Sequence, residues 1–245
     1  MKNLVKTNAV VLKKIDYGDT SKIASLFTET EGRISVIVKG GRSSKSKSGA
    51  VIDVFNIVEV LYNDKESRDI QILNQSGLIQ HFRNIPENIE KTKYASSAIE
   101  IINLLLPDRE PHPLIFKGIW KILERINSDG ENPKELFARF FLFFLKESGY
   151  ELLPEYCTIC GKVIDDFKAF NYNYEYGILC PHCSVDRMIS FEFNTELFNL
   201  LKCLSNKNYK ISYRDKDLDV IINFLEKFTS YIIPEFKGLK SLKIY

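Results

Sequence analysis

The sequence lacks the motifs by which most enzymes are identified. Its 245 residues contain no Walker-type phosphate loop and no dinucleotide-binding glycine fingerprint, and no serine or cysteine stands in a nucleophile motif. Histidine is scarce, with three in the chain, and His81 and His112 lie in linker-like surroundings. We therefore predict that the protein is not an enzyme; an enzyme with an unrecognised site remains a third hypothesis.

The chain also lacks a long hydrophobic run and an excess of charge. The most apolar stretch, Leu136–Leu145, contains Arg139 and is too short to cross a bilayer. The N-terminal MKNLVKTNAV has no hydrophobic signal-peptide core. These features predict a cytoplasmic protein with no membrane association. A net charge of +2 gives no general affinity for nucleic acid, so any such role must depend on local clusters.

Four of the five cysteines form two Cys-x-x-Cys pairs, CTIC and CPHC, separated by nineteen residues: Cys157, Cys160, Cys180 and Cys183. This spacing predicts one structural Zn²⁺ per chain, because four thiolates complete a tetrahedron and leave no open position for catalysis. The alternating AFNYNYEYGI between the pairs predicts a hairpin, hence a zinc ribbon. Two disulfides are the alternative, and His182 could replace one cysteine. The fifth, Cys203, fits an apolar helical pattern as a core residue.

Residues 1–80 have the period and turn residues of β-structure. Five strands are predicted, over Thr7–Lys14, Ser21–Thr28, Arg33–Lys39, Val51–Tyr62 and Asp69–Leu73. Five short strands are the number that an OB-fold barrel needs. A sandwich fragment or an SH3-like barrel would give a similar pattern.

Residues 81–245 have a helical period, which makes the fold class α+β: an N-terminal OB-fold barrel and an all-α domain with the zinc ribbon inserted at 155–187. Helices are predicted over Asn88–Leu106, Pro111–Ser128, Asn132–Gly149, Thr195–Ser205 and Asp217–Ile233. The third of these is apolar all round, with five phenylalanines, and is predicted to be buried on several sides.

The segment Lys39–Ala50 carries four cations and no acid: Lys39, Arg42, Lys45 and Lys47. It is either a flexible, solvated loop or a loop that contacts nucleic-acid phosphates. In the second case Arg33 is a weaker candidate for the same surface. Tyr17 and Phe27 are candidates for base stacking, although Phe27 alternates with the core face.

Two segments resemble the RecO family of bacterial DNA recombination and repair proteins. AVVLKKIDYGDTSKIASLFTETEGRISVIVKGGRSSKS (Ala9 to Ser48) is similar to the family's barrel signature, and ESGYELLPEYCTICGK with GILCPHC is similar to its cysteine arrangement. The resemblance implies an OB-fold and a helical domain with a zinc ribbon. It implies binding to single- and double-stranded DNA and annealing of complementary strands in the nucleoid. It also implies that the protein assists RecA loading with RecR on strands coated by single-stranded DNA-binding protein (SSB).

The resemblance further implies contact with the acidic, hydrophobic-ended tail of SSB. Lys117, Lys121 and Arg125 lie at helical spacing and could form the basic rim of such a site, although a solvated helix face has the same spacing. A competing hypothesis is a zinc-ribbon adaptor that binds proteins and does not itself bind DNA strongly. The basic loop favours DNA binding, and the near-neutral net charge favours the adaptor.

Overall fold

The computed structural model describes residues 3–150, 152, 156–164, 169–205 and 211–244. The chain divides into two compact units: unit 1 comprises Met1–Pro133 and Leu239–Tyr245, and unit 2 comprises Lys134–Gly238. The domain limits derived from the sequence, at residue 80 and around 155–187, stay a prediction. In the described part of the chain, no helix is long and apolar enough to cross a membrane.

Unit 1 begins with a closed five-stranded barrel, which confirms the fold class derived from the sequence. Its strands are β1 (Asn3–Tyr17), β2 (Ser21–Thr28), β3 (Gly32–Val38), β4 (Ile57–Asp64) and β5 (Ile70–Gln80). Their order around the barrel is β1-β2-β3-β5-β4, and β4 returns to pair with β1. The only parallel pairing among these strands joins β3 to β5. Closure excludes the sandwich fragment, and a five-stranded closed barrel is the architecture of the OB-fold.

The core of the barrel is formed by apolar side chains that occupy alternating positions along the strands and face inward. Along β3, Ile34, Val36 and Val38 are buried and their neighbours are partly exposed. Ala24 and Leu26 of β2 face the same core. Because side chains alternate between the faces of a strand, this pattern sets which face of each strand turns inward. A register shift between Val11 and Lys13 lets the 15-residue β1 bend and pair with both neighbours.

The strand predicted over Val51–Tyr62 is wrong in its first half. Lys47–Val51 forms a short helix, α1, and β4 begins only at Ile57. The segment between them turns at Phe55, which has a left-handed φ of 74°. The Asn56 side-chain amide donates to the Val51 carbonyl and closes this turn. The predicted strand Asp69–Leu73 is correct in position but too short, since β5 continues to Gln80.

Three helices complete the main part of unit 1: α2 (Asn84–Glu87), α3 (Ile89–Leu105) and α4 (Pro113–Asn127). The Asn88 side chain caps α3 by accepting from the backbone N–H groups of Glu90 and Lys91. Phe27 of the barrel packs against Phe116 of α4, with ring centroids 5.9 Å apart, and Phe116 packs on Trp120. Phe27 is fully buried, so the suggestion that it stacks on bases is wrong. Near the C-terminus, α8 (Ser241–Ile244) lies against α3.

Unit 2 is built from α5 (Pro133–Glu147), a three-stranded sheet, α6 (Thr195–Ser205) and α7 (Asp215–Ile232). The sheet has the order β7-β6-β8, with β6 (Ala169–Asn173), β7 (Gly177–Leu179) and β8 (Phe191–Asn194). As predicted, α5 buries most of its surface, including four of its five phenylalanines. Aromatic rings of β6 and β8 pack against Phe224 and Phe228 of α7 and form the core on that side.

Candidate metal centre and basic barrel surface

The four paired cysteines converge on one point in unit 2. The sulfur atoms of Cys157, Cys160, Cys180 and Cys183 all lie within 4.8 Å of one another. Three of these side chains are buried, and Cys160 is exposed. All five cysteines are free thiols, so the disulfide alternative is not formed. Cys203 is buried in α6 and is not part of this cluster, as predicted.

Local backbone geometry explains why the two Cys-x-x-Cys turns present their sulfurs together. Gly161 has a φ of +71°, which favours glycine, and its N–H donates to the Cys157 carbonyl. The second turn closes through the Cys183 N–H, which donates to the Cys180 carbonyl. The Cys180 N–H then lies 3.4 Å from the Cys157 sulfur and ties one turn to the other.

The electrostatics of the cluster suit a bound cation. Burial opposes ionisation of Cys157, but hydrogen bonds from the backbone N–H groups of Cys160, Cys180 and Ile159 outweigh it and lower the pKa of this thiol to about 6. Burial, the hydrogen bonds that the protonated Cys183 thiol donates to the neighbouring sulfurs and the charge on Cys157 raise the pKa of Cys183 to about 12. Four sulfurs this close cannot all ionise unless a cation neutralises them. The donor set therefore fits a metal ion that prefers thiolate ligands.

The basic segment between β3 and α1 is folded into successive turns. The Ser43 N–H donates to the Gly40 carbonyl, and the Ser46 N–H donates to the Ser43 carbonyl. Ser46 then caps α1 by accepting from the Gly49 N–H at 3.0 Å. These hydrogen bonds define the backbone path of the segment, and the choice between a solvated loop and a phosphate-contacting loop stays a prediction.

Within this segment, Arg42 connects the loop to the neighbouring hairpin by hydrogen bonds and an ion pair. Its guanidinium donates to the Gly18 carbonyl at 2.8 Å and lies 3.5 Å from the Asp16 carboxylate. Its backbone N–H donates to the Thr20 carbonyl at 2.9 Å. Arg42 thus ties the basic segment to the β1–β2 hairpin, whose tip carries the exposed Tyr17. Lys39, Lys45 and Lys47 are exposed on the same segment.

Arg33 is not brought to the same place. It starts β3 at the other end of the strand, and its guanidinium donates to the Asn103 carbonyl and pairs with Asp108 at 2.8 Å. Its side chain is only 16% exposed. Arg33 therefore holds the barrel to α3 and to the segment that follows α3.

Strand pairing adds cations that sequence reasoning missed. Lys22 of β2 pairs with Val38, the residue before Lys39, and also with Asp16 of β1. The exposed Lys13 lies on the same hairpin, opposite Ser25. The sequence alone does not predict this arrangement, because the register that pairs Lys22 with the end of β3 exists only in the folded sheet.

The predicted partner-binding residues lie along α4. Lys117 and Lys121 are exposed, whereas the Arg125 guanidinium forms a hydrogen-bonded ion pair with Glu131. An apolar cavity of about 140 Å³ lies in unit 2, between α5 and the end of α6. Leu142, Phe143 and Leu204 line it, and Arg139 and Lys146 supply basic side chains.

A closed OB-type barrel with a basic segment, followed by helices and a four-cysteine cluster, defines a modular OB-fold protein with a candidate metal centre. Family comparison matches the N-terminal model of recombination protein O over residues 1–82 and the C-terminal model of recombination protein O over residues 86–243. The chain therefore belongs to the recombination protein O (RecO) family.

Individual relatives agree with this assignment. The chain is 29% identical to the DNA repair protein RecO of Clostridium kluyveri, over 98% of this chain and 93% of the relative. It is 28% identical to the DNA repair protein RecO of Clostridium novyi, over 99% of this chain and 94% of the relative. A shorter match, at 33% identity, covers 66% of this chain and 62% of the DNA repair protein RecO of Chlorobium phaeobacteroides.

Proposed function

We propose that this protein is a non-enzymatic mediator of DNA repair and homologous recombination. In this proposal it binds single- and double-stranded DNA, anneals complementary strands and, with RecR, assists RecA loading on SSB-coated single strands. The observation that carries the proposal is the ordered basic segment on an OB-type barrel, in a chain whose relatives are DNA repair proteins. This role places the protein in the cytoplasm, associated with the nucleoid.

The DNA surface that we propose is formed by Lys39, Lys45 and Lys47, with Lys22 beside them. Arg42 positions this surface, and its partly exposed guanidinium can still reach a phosphate. Arg33 is left out of the surface because its guanidinium is held by Asn103 and Asp108. Unit 1 contains 21 basic and 17 acidic residues, whereas unit 2 contains 13 basic and 15 acidic residues. The excess of positive charge in unit 1 favours that unit for phosphate binding.

For the four cysteines we propose one structural Zn²⁺ per chain. Thiolate ligands suit zinc, and four of them leave no position for water or substrate. The metal would hold the two Cys-x-x-Cys turns together and thereby the β6–β7 hairpin between them. It would supply no chemistry of its own.

For the SSB tail, the cavity of α5 suits an acidic, hydrophobic-ended peptide better than the helix face that carries Lys117, Lys121 and Arg125. The cavity combines apolar side chains with the ammonium group of Lys146, as such a peptide requires. The Arg139 guanidinium already pairs with Glu135 at 2.8 Å and contributes less. The α4 lysines remain a proposed basic rim for a partner, and no surface is assigned to RecR.

The test is fluorescence anisotropy with a labelled single-stranded oligonucleotide at several salt concentrations. Replacing Lys39, Lys45 and Lys47 with Ala should weaken binding and reduce the salt slope by about 2, since each lost single-strand phosphate contact contributes roughly 0.7. A matched control removes Lys6, Lys65 and Arg68, which lie at the opposite end of the barrel, with the same change in net charge. An unchanged slope in the first variant, or equal slopes in both, contradicts the assignment.

The second candidate function is a zinc-ribbon adaptor that binds proteins and does not itself bind DNA strongly. The net charge of +2 is the observation that favours it. The same titration distinguishes the two functions: absence of binding at low salt supports the adaptor, and RecR and SSB are then the partners to test.

A further inference from the structure

A row of aromatic rings runs from the core of unit 2 to its surface. Tyr172 is buried against Phe224 and Phe228 of α7, with centroid distances of 5.2 and 6.0 Å. The next ring outward is Tyr174, 6.0 Å from Tyr172. Tyr174 then stacks on Tyr231 of α7, at a centroid distance of 5.0 Å and an interplanar angle of 24°. Tyr231 is 51% exposed, so the row ends in a ring that solvent can reach.

Hydrogen bonds in the turn between β6 and β7 fix the backbone that carries Tyr174. Residues 174–176 form a three-residue turn, and Asn173 accepts from the N–H groups of Glu175 and Tyr176 at 2.7 and 2.9 Å. The Asn173 amide also donates to the Met188 carbonyl, which ties the turn to the second cysteine loop. Because hydrogen bonds hold this turn, its tyrosine rings are preorganised, and this lowers the entropic cost of binding a ligand.

Cations lie near Tyr176 of the turn and near Tyr231 of α7. The Arg187 guanidinium lies 5.9 Å from the ring centre of Tyr176, which is 42% exposed. On α7, the exposed Lys227 precedes Tyr231 by four residues and so lies on the same helix face. Side chains on a helix lean toward its N-terminus, which directs the Tyr231 ring toward Lys227.

We propose that Tyr174, Tyr176 and Tyr231, with Lys227 and Arg187, form a second contact for single-stranded nucleic acid that holds bases by stacking. The site belongs to unit 2, where it comprises the β6–β7 turn, the loop after Cys183 and α7, whereas the basic surface belongs to the barrel of unit 1. The inference rests on the proposed DNA-binding function, to which it adds a site that contacts bases in place of phosphates.

The chemistry of the surface favours this ligand over a peptide. Flat rings with open faces accept a base of any sequence, and the adjacent Lys227 ammonium can meet the phosphate that follows. The Arg187 guanidinium donates to the Cys183 carbonyl at 2.6 Å and lies over the Tyr176 ring, which it helps to position. The acidic Glu175 and Asp186 lie on the same loops and offset the two cations. We therefore expect this contact to depend on stacking and to change little with salt, unlike the contact on the barrel.

The experiment uses the full-length protein and oligo(dT) that contains one 2-aminopurine, whose fluorescence is quenched on stacking. At a salt concentration that suppresses the barrel contact, wild-type protein should quench the probe. Tyr231→Ala should lose the quenching and bind roughly fivefold or more weakly. Tyr231→Phe keeps the ring and should behave like the wild type. The control is Leu104→Ala, which removes an equally exposed side chain (51%) from α3 and should change nothing.

The outcomes separate this inference from the function on which it rests. If Tyr231→Ala quenches like the wild type while the barrel variants bind poorly, the stacking site is refuted and the proposed function stands. If neither the wild type nor any variant binds DNA, the proposed DNA-binding function itself is contradicted. Equal losses in Tyr231→Ala and Tyr231→Phe would also overturn the inference, because a stacking site tolerates loss of the hydroxyl.

Discussion

The backbones of Gly41 and Gly49 touch across the basic segment. A methyl group on Gly49 would lie 2.1 Å from the Gly41 carbonyl oxygen, a distance that no packed structure tolerates. This contact folds the segment back on itself, so that Lys45 and Lys47 lie between two residues that are fixed to each other. Two glycines eight positions apart thus set where the cations of the proposed DNA surface lie.

Gly49→Ala should therefore displace the basic segment. We expect a loss of about 1–3 kcal/mol in the free energy of unfolding, typical of overpacking, and weaker binding to single-stranded DNA. Urea unfolding and anisotropy measure the two effects. Gly77→Ala in β5 is the control, because a methyl group there meets nothing within 4 Å. Full DNA affinity in Gly49→Ala would show that the position of the lysines is unimportant.

Removal of the metal should unfold part of unit 2 and spare unit 1. We expect one zinc ion per chain by elemental analysis, and its loss in Cys157→Ser or with a strong chelator. The single tryptophan, Trp120, lies in unit 1, so its fluorescence reports that unit alone. Cys203→Ser should retain the metal. A metal content unchanged by Cys157→Ser would exclude the four-cysteine site.

Replacing the buried Lys134 should reduce the stability of the protein less than replacing Asp215 and Asp219, with which it forms ion pairs. Its ammonium lies 2.5 Å from Asp215 and 2.7 Å from Asp219, and its side chain is 8% exposed, while both carboxylates are largely exposed. Lys134→Met frees two carboxylates that water can solvate, at a cost of about 1 kcal/mol. Replacing both aspartates with Ala removes two ion pairs from a buried ammonium and should cost more, about 3 kcal/mol. The reverse ranking in urea unfolding would contradict this account.

The Tyr62 hydroxyl lies in the barrel core, and in the described part of the structure it has no hydrogen-bond partner. Burial, with the charges of Glu31 and Asp64, raises the pKa of this phenol well above its ordinary value of 10.0. The unfolded chain therefore ionises first as the pH rises through 10.0, and Tyr62 lowers the stability of the fold above that pH.

Tyr62→Phe should accordingly raise the free energy of unfolding by about 1 kcal/mol at neutral pH, because an unpaired buried hydroxyl is removed. The gain should grow above pH 10.0, because the variant lacks the part of the stability loss that Tyr62 causes there. Urea unfolding at pH 7 and in alkaline buffer tests both statements. A variant less stable than wild type at both pH values would mean that the hydroxyl is satisfied in solution.

Much of the fold follows from local pattern. The strand Ser21–Thr28 and the helix Thr195–Ser205 begin and end at the predicted residues. Alternation along the strand and a capped apolar stripe on the helix give each segment a clear period. The short strand Phe191–Asn194 and helix α1 were not predicted, since neither is long enough to show a period. Their conformation depends on pairing with β6 and on the Ser46 cap.

The sequence alone determined the class of the protein: the number of barrel strands, the helical half and the four paired cysteines depend on spacing and period. Only the tertiary structure decided where the cations lie. Strand register pairs Lys22 with Val38, the residue before Lys39, and ion pairing holds Arg33 at the other end of β3. The Tyr174–Tyr231 stack joins residues 57 positions apart, and no local pattern predicts it. Contacts between distant residues depend on how the whole chain packs, and local periodicity carries no record of that packing.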